Sequence, residues 1–152
     1  MRKSSIWYLV ADGSQARFVR ETPSNRESGE RREDLVFEAV HKKLQQIMAD
    51  RPGRSYSSHD ARRSAMEYHS DPVVEQQQRF AEFLIGEFET HHAAGSVDKL
   101  IIVAEPHMLG LLRKALPESL KSVVIGEFAL DLTNLPESKL YAAIDRLEVP
   151  AV

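Results

Sequence analysis

Residues 6–13 read Ile-Trp-Tyr-Leu-Val-Ala-Asp-Gly, and this stretch decides the fold of the N-terminal part of the chain. Its first six residues are an unbroken apolar run rich in aromatic and β-branched side chains, which is typical of a strand covered on both faces. We therefore predict a strand over residues 6–11 in the centre of a sheet. Asp12-Gly13 is a strong turn signal, so a hairpin partner is expected over residues 15–22, with a solvated, basic outer face that carries Arg17 and Arg20.

The rest of the chain adds further strand patterns and several helical patterns. Asp71-Pro72 resembles an N-cap followed by proline at the first helical position, and Gly95 is a suitable left-handed stop. The predicted elements after the hairpin are a strand at 35–40, a short helix at 42–50, a long helix between Asp71 and Gly95, a strand at 99–104, a helix at 106–116, a strand at 123–130 and a helix at 136–147. This order predicts an α/β fold with a mixed β-sheet of about five strands and flanking helices.

Length and composition limit the possible classes of protein. A chain of 152 residues with 42% hydrophobic content fits a single domain over residues 1–152. The absence of cysteine excludes disulfides, thiolate chemistry and Cys-ligated zinc, and it favours a reducing compartment, so we expect a cytoplasmic protein. The N-terminal apolar run is too short for a signal-peptide core or a membrane span. Because the net charge is -3, nucleic-acid binding would need a local basic patch.

One long polar loop is the candidate for such a patch. Residues 51–71 lack hydrophobic periodicity, and a loop of this length and polarity is usually functional or disordered. Its basic and aromatic side chains are of the kind that binds RNA phosphate and stacks on a base, although its arginines would equally fit an ordinary solvated surface. The candidate residues for binding RNA or another partner are Arg54, Ser55, Tyr56, His59, Arg62 and Arg63.

Several stretches of the chain resemble the bacterial host attachment protein family. They are Val-Ala-Asp-Gly-Ser-Gln-Ala-Arg at 10–17, Arg-Phe-Ala-Glu at 79–82, Asp-Lys-Leu-Ile-Ile-Val-Ala-Glu-Pro-His-Met-Leu-Gly-Leu-Leu-Arg at 98–113, Asp-Leu-Thr at 131–133, and Pro136. That family is similar to the middle domain of archaeal and eukaryotic peptide-chain release factors and to Pelota, and the resemblance implies a ribonuclease-H-like fold. It also places the loop at 51–71 where release factors carry a Gly-Gly-Gln tip. Residues 52–59 contain no such tip, so peptide release is not expected.

A ribonuclease-H-like sheet also raises the possibility of a metal-dependent nuclease. Such an enzyme holds two ions roughly 4 Å apart by carboxylates that converge at strand ends. Asp12, Glu105 and Asp131 all lie at predicted strand ends and are the candidate metal ligands. Turn formation already accounts for Asp12, and capping or turn formation accounts for Asp131, so we treat the nuclease as an alternative.

The sequence thus leads to a binding protein as the first hypothesis. We expect a non-enzymatic member of the host attachment family, without a cofactor, that contacts the ribosome or RNA through residues 53–63. The main alternative is a protein-protein interaction factor that supports bacterial attachment to host cells. The partner and the oligomeric state are not encoded in any motif of the sequence.

Overall fold

The computed structural model describes residues 5–23, 31–39 and 71–147. Within these residues, five strands form one mixed sheet in the order β3-β2-β1-β4-β5, and three α-helices pack beside it. The strands are β1 (Ile6–Ala11), β2 (Gln15–Val19), β3 (Leu35–Glu38), β4 (Lys99–Ala104) and β5 (Val124–Ala129). The helices are α1 (Pro72–Ala93), α2 (Pro106–Ala115) and α3 (Glu137–Asp145), and a 3₁₀ helix spans Glu118–Val123.

The architecture confirms the predicted α/β class with a mixed sheet of five strands. Its finer assignment to the ribonuclease-H-like or release-factor group stays a prediction. The helix predicted at 42–50 and most of the polar loop at 51–71 lie outside the described residues. Within the part of the chain that the structure describes, no helix has both the length and the apolar character needed to cross a membrane.

The first strand lies at the centre of the sheet, as its apolar sequence predicts. It pairs antiparallel with β2 through the Asp12-Gly13 turn and parallel with β4 on its other side. Leu9, Val10 and Ala11 are fully buried, because helices cover the sheet on both faces. Strand β5 continues the parallel half beyond β4, and β3 continues the antiparallel half beyond β2.

Helices α1 and α2 cover the first face of the sheet. Helix α1 begins where its sequence predicts, since the Asp71 carboxylate accepts a hydrogen bond of 2.8 Å from the backbone N–H of Val73. The helix ends before Gly95, whose φ of 81° is readily adopted only by glycine. Between these ends, Phe88 packs its ring against Trp7 and Phe18 of the sheet.

Helix α3 covers part of the second face. Its buried residues Leu140, Tyr141 and Ile144 belong to a second apolar cluster that includes strand residues such as Val10 and Val103. The central strands therefore lie between two apolar layers.

A buried carboxylate connects α3 to the β2–β3 side of the sheet. The side chain of Asp34, only 4% exposed, accepts hydrogen bonds from Arg17 Nη1 at 2.8 Å, Arg31 Nη1 at 3.2 Å and the Tyr141 hydroxyl at 2.7 Å. The Arg31 guanidinium also lies 4.7 Å from the centre of the Tyr141 ring. Burial, together with the hydrogen bond and the negative charge of Asp34, raises the pKa of Tyr141 above its ordinary value. The outer face predicted to be solvated is only partly so at Arg17, because this side chain reaches a carboxylate covered by α3.

Candidate functional site

The polar loop predicted from the sequence lies between two described elements of the chain. The candidate residues Arg54, Ser55, Tyr56, His59, Arg62 and Arg63 lie within residues 40–70, outside the described residues, so their role stays a prediction. The described residues that flank this segment are Ala39, which follows β3, and Asp71, which caps α1. Strand β3 and helix α1 are therefore the described elements nearest to the segment in sequence.

A groove of about 260 Å³ lies between the end of β3 and helix α1. One wall comes from the strand and the other from the first three turns of the helix. The lining residues are Glu38, Ala39, Gln76, Arg79, Phe80 and Phe83.

The apolar part of the groove is centred on Phe83. This side chain is 47% exposed, although Phe80 one turn before it is almost fully buried. The Phe83 ring lies edge-to-face against Phe37 of β3, with ring centres 5.4 Å apart, and parallel to the Phe80 ring at 6.5 Å. Two other rings therefore hold an exposed aromatic side chain in place. A partner would have little side-chain entropy to remove when it covers that side chain.

Two opposite charges accompany this apolar surface. Arg79 lies on the helix wall and Glu38 at the end of the strand wall, and both residues are exposed. Among the described residues, neither side chain forms a hydrogen bond or an ion pair with another group. Both charges are therefore available to a partner. A polar rim around an apolar centre is the usual anatomy of a protein–protein interface.

The predicted carboxylates lie at a different place, the carboxyl ends of the parallel strands. Asp12 follows β1, and its Oδ1 accepts hydrogen bonds of 2.8 Å from the backbone N–H groups of Ser14 and Gln15. Its Oδ2 lies 2.9 Å from the Thr133 hydroxyl. Burial alone would raise the pKa of Asp12, but the backbone and hydroxyl hydrogen bonds outweigh it, so the pKa is lowered. Asp12 thus orders the β1–β2 turn.

The other two candidate ligands also have local partners. Glu105 caps α2, since its carboxylate accepts hydrogen bonds from the backbone N–H groups of His107 at 3.2 Å and Met108 at 2.7 Å. Asp131 lies 2.6 Å from the same Thr133 hydroxyl that contacts Asp12. The structure therefore brings Asp12 and Asp131 together around one hydroxyl, while Glu105 caps a helix. Within residues 5–23, 31–39 and 71–147, there is no group of three or more histidine, aspartate or glutamate side chains that could hold a metal ion. The metal-site hypothesis stays a prediction.

Residues 7–144 match the sequence model of a protein family described as protein required for attachment to host cells. The chain belongs to this family. The match begins in β1 and ends in α3, so it includes all five strands and both walls of the groove. No curated protein matches the chain.

For this member of the host attachment family, sequence reasoning missed the exposed part of the groove. The spacing of Val73, Phe80, Leu84 and Phe88 fits one helix face and predicts the apolar stripe of α1. Phe83 lies beside that stripe. The available signal was its position three residues after Phe80, which widens the apolar face towards one side of the helix.

Proposed function

We propose that this chain is a non-enzymatic binding protein that supports attachment to host cells by holding another protein in the groove between β3 and α1. The observation that carries the proposal is the exposed Phe83 ring, which is packed against Phe37 and Phe80 and accompanied by the unpaired charges of Arg79 and Glu38. Interface hot spots are commonly such aromatic anchors. Membership in the attachment family supports the biological role.

The proposal includes a cytoplasmic location, which the absence of cysteine favours. Attachment would then depend on the partner that the groove holds. Cell fractionation tests this part. Recovery of the protein outside the cytosolic fraction would contradict the location, and normal attachment after deletion of the gene would count against a role in attachment.

Changing Phe83→Glu in the organism that carries this protein is expected to reduce host-cell attachment to the level of a deletion strain. A carboxylate at this position would remove the aromatic anchor and place a charge against the apolar side of a bound partner, and it would neutralise Arg79, which lies one turn earlier on α1. Attachment is counted by microscopy at equal protein levels, measured by immunoblot. The matched control is Val74→Glu, which puts the same charge on an exposed position of α1 that does not line the groove. Normal attachment in the Phe83→Glu strain would contradict the proposed site.

A second candidate function is contact with the ribosome or RNA through residues 53–63. The observation that favours it is the set of three arginines with Tyr56 and His59 within ten residues of sequence. The similarity to release factors inferred from the sequence would fit this function.

Changing Arg54, Arg62 and Arg63 together to alanine is expected to weaken co-sedimentation with ribosomes, because arginine binds phosphate through directed, charge-assisted hydrogen bonds. The control variant removes the same charge elsewhere by changing exposed Lys114, Lys121 and Arg146 to alanine. If the unmutated protein fails to sediment with ribosomes at low salt, this second function is excluded.

A further inference from the structure

The strand wall of the groove is also an open edge of the sheet. Strand β3 is the last strand in the sheet order, and among the described strands it pairs only with β2. The backbone N–H of Ala39 donates to the carbonyl of Ser14 at 2.8 Å, which makes this a hydrogen-bonded pair of the antiparallel ladder. Since such pairs alternate along a strand, Phe37 also directs its backbone groups towards β2. Val36 and Glu38 direct theirs outward.

The outward groups have no partner in the described part of the chain. Among the described residues, no hydrogen bond involves the outward backbone groups of Val36 or Glu38. Each residue therefore presents one N–H donor and one C=O acceptor along the free edge. An edge of this kind is a template for an added strand from another chain.

The groove has the right components to receive such a strand. A segment paired with β3 would lie about 4.8 Å beyond it, and its alternate side chains would point towards the face covered by α1. On that face the helix offers the apolar surface of Phe80 and Phe83. Backbone pairing would provide affinity, and the apolar contact would select the side chain.

The free charges restrict the sequence of the added strand further. Arg79 on the helix wall is complementary to an acidic residue on the face of the added strand that points towards α1. The Glu38 side chain alternates with Phe37 and lies on the other face of the sheet, where it is complementary to a basic residue. A segment with an apolar and an acidic residue two positions apart on one face, and a basic residue on the other face, matches each available group.

We propose that the groove binds an extended segment of a partner protein as a sixth strand on β3. This segment places a large apolar side chain against Phe83, an acidic side chain near Arg79 and a basic side chain near Glu38. The inference rests on the proposed function of the groove as a protein-binding site. It adds the conformation and the chemistry of the partner.

The test uses a phage-displayed library of short linear peptides, selected on the full chain. Selected peptides are synthesised unmodified and in two forms that are N-methylated on alternate peptide bonds, and affinities are measured by fluorescence anisotropy. We expect selection of an apolar residue with an acidic residue two positions away and a basic residue at an adjacent position. N-methylation in one alternate set should weaken binding at least about tenfold, because those N–H groups face β3, while the other set should bind normally. Hydrogen exchange should show new protection at Val36 and Glu38.

Two variants test the side-chain contacts. Phe83→Ala should weaken binding about tenfold, in the range of an interface anchor. The Arg79→Glu variant should no longer bind the selected peptides. It should bind peptides in which the acidic residue is replaced by lysine. A charge reversal that restores binding requires direct proximity of the two groups.

Other outcomes would overturn the inference. Equal binding of both N-methylated forms, or unchanged binding to Phe83→Ala, would exclude an added strand in this groove. A dimer that is dissociated by Phe83→Ala and binds no peptide would identify a second copy of the chain as the occupant. Protection of the Val36 and Glu38 amides in the free protein, without peptide selection, would identify the chain itself as the occupant.

The attachment assay separates this inference from the proposed function. Loss of attachment in the Phe83→Glu strain, with equal binding of both N-methylated forms, would retain the protein-binding role and reject strand addition. Normal attachment together with the alternating effect of N-methylation would retain strand addition and reject the attachment role.

Discussion

Phe88→Ala is expected to lower the free energy of unfolding by about 3–5 kcal/mol, whereas Phe83→Ala should lower it by about 1 kcal/mol or less. Both residues are phenylalanines of α1, but Phe88 is fully buried and Phe83 is 47% exposed. The Phe88 ring centre lies 6.5 Å from that of Trp7 and 6.3 Å from that of Phe18, so its removal leaves a cavity between helix and sheet. Removal of Phe83 affects mainly surface contacts with Phe37 and Phe80.

Urea unfolding followed by circular dichroism measures both variants against the unmutated protein. The comparison holds if the slope of free energy against urea concentration is the same for all three. If Phe83→Ala lowers the free energy of unfolding as much as Phe88→Ala does, then Phe83 is needed for the fold. Defects of Phe83 variants in attachment could then no longer be assigned to binding.

Asp34→Ala is expected to lower the free energy of unfolding by about 2–4 kcal/mol. Loss of this carboxylate removes the acceptor for Arg17, Arg31 and Tyr141 and leaves two cations close together. The arginine side chains are 26% and 21% exposed, so water compensates in part, and the loss should be smaller than for a fully enclosed pair. The same unfolding measurement applies.

The matched control for Asp34 is Glu127→Ala, which removes the carboxylate that pairs with Arg113 on the surface. Surface ion pairs contribute about 0–1 kcal/mol to stability, so the free energy of unfolding of this variant should remain close to that of the unmutated protein. Asp34→Asn adds a second comparison, because it keeps the size of the side chain and removes its charge. An Asp34→Ala variant as stable as Glu127→Ala would show that the connection between α3 and the sheet does not depend on this carboxylate.

Local patterns in the sequence were sufficient for most of the secondary structure. The apolar run at Ile6–Ala11 and the turn at Asp12-Gly13 predicted the central strand and its hairpin, and both are present. Asp71 and Gly95 predicted the ends of α1 correctly. These features depend on residues only a few positions apart, since turns and caps are formed by neighbouring backbone and side-chain groups.

Contacts between distant segments could not be predicted in this way. Tyr141 is 107 positions from Asp34, and nothing in the sequence near either residue indicates that the other is its partner. The same holds for Asp12 and Thr133, which are 121 positions apart. Periodicity indicated that Arg17 is on the outer face of a hairpin, but it could not show that α3 covers the carboxylate to which Arg17 binds.

The candidate site also combines features that the sequence alone determines with features that only the tertiary structure determines. The sequence was enough to establish the α/β class, the central strand, the family resemblance and the basic composition of residues 53–63, because all of these are properties of contiguous stretches. The groove exists because β3 and α1, separated by more than thirty positions of chain, are packed on the same face with Phe83 left at its border. Whether a side chain becomes core or interface depends on which other surfaces reach it, and that is a property of the packed structure.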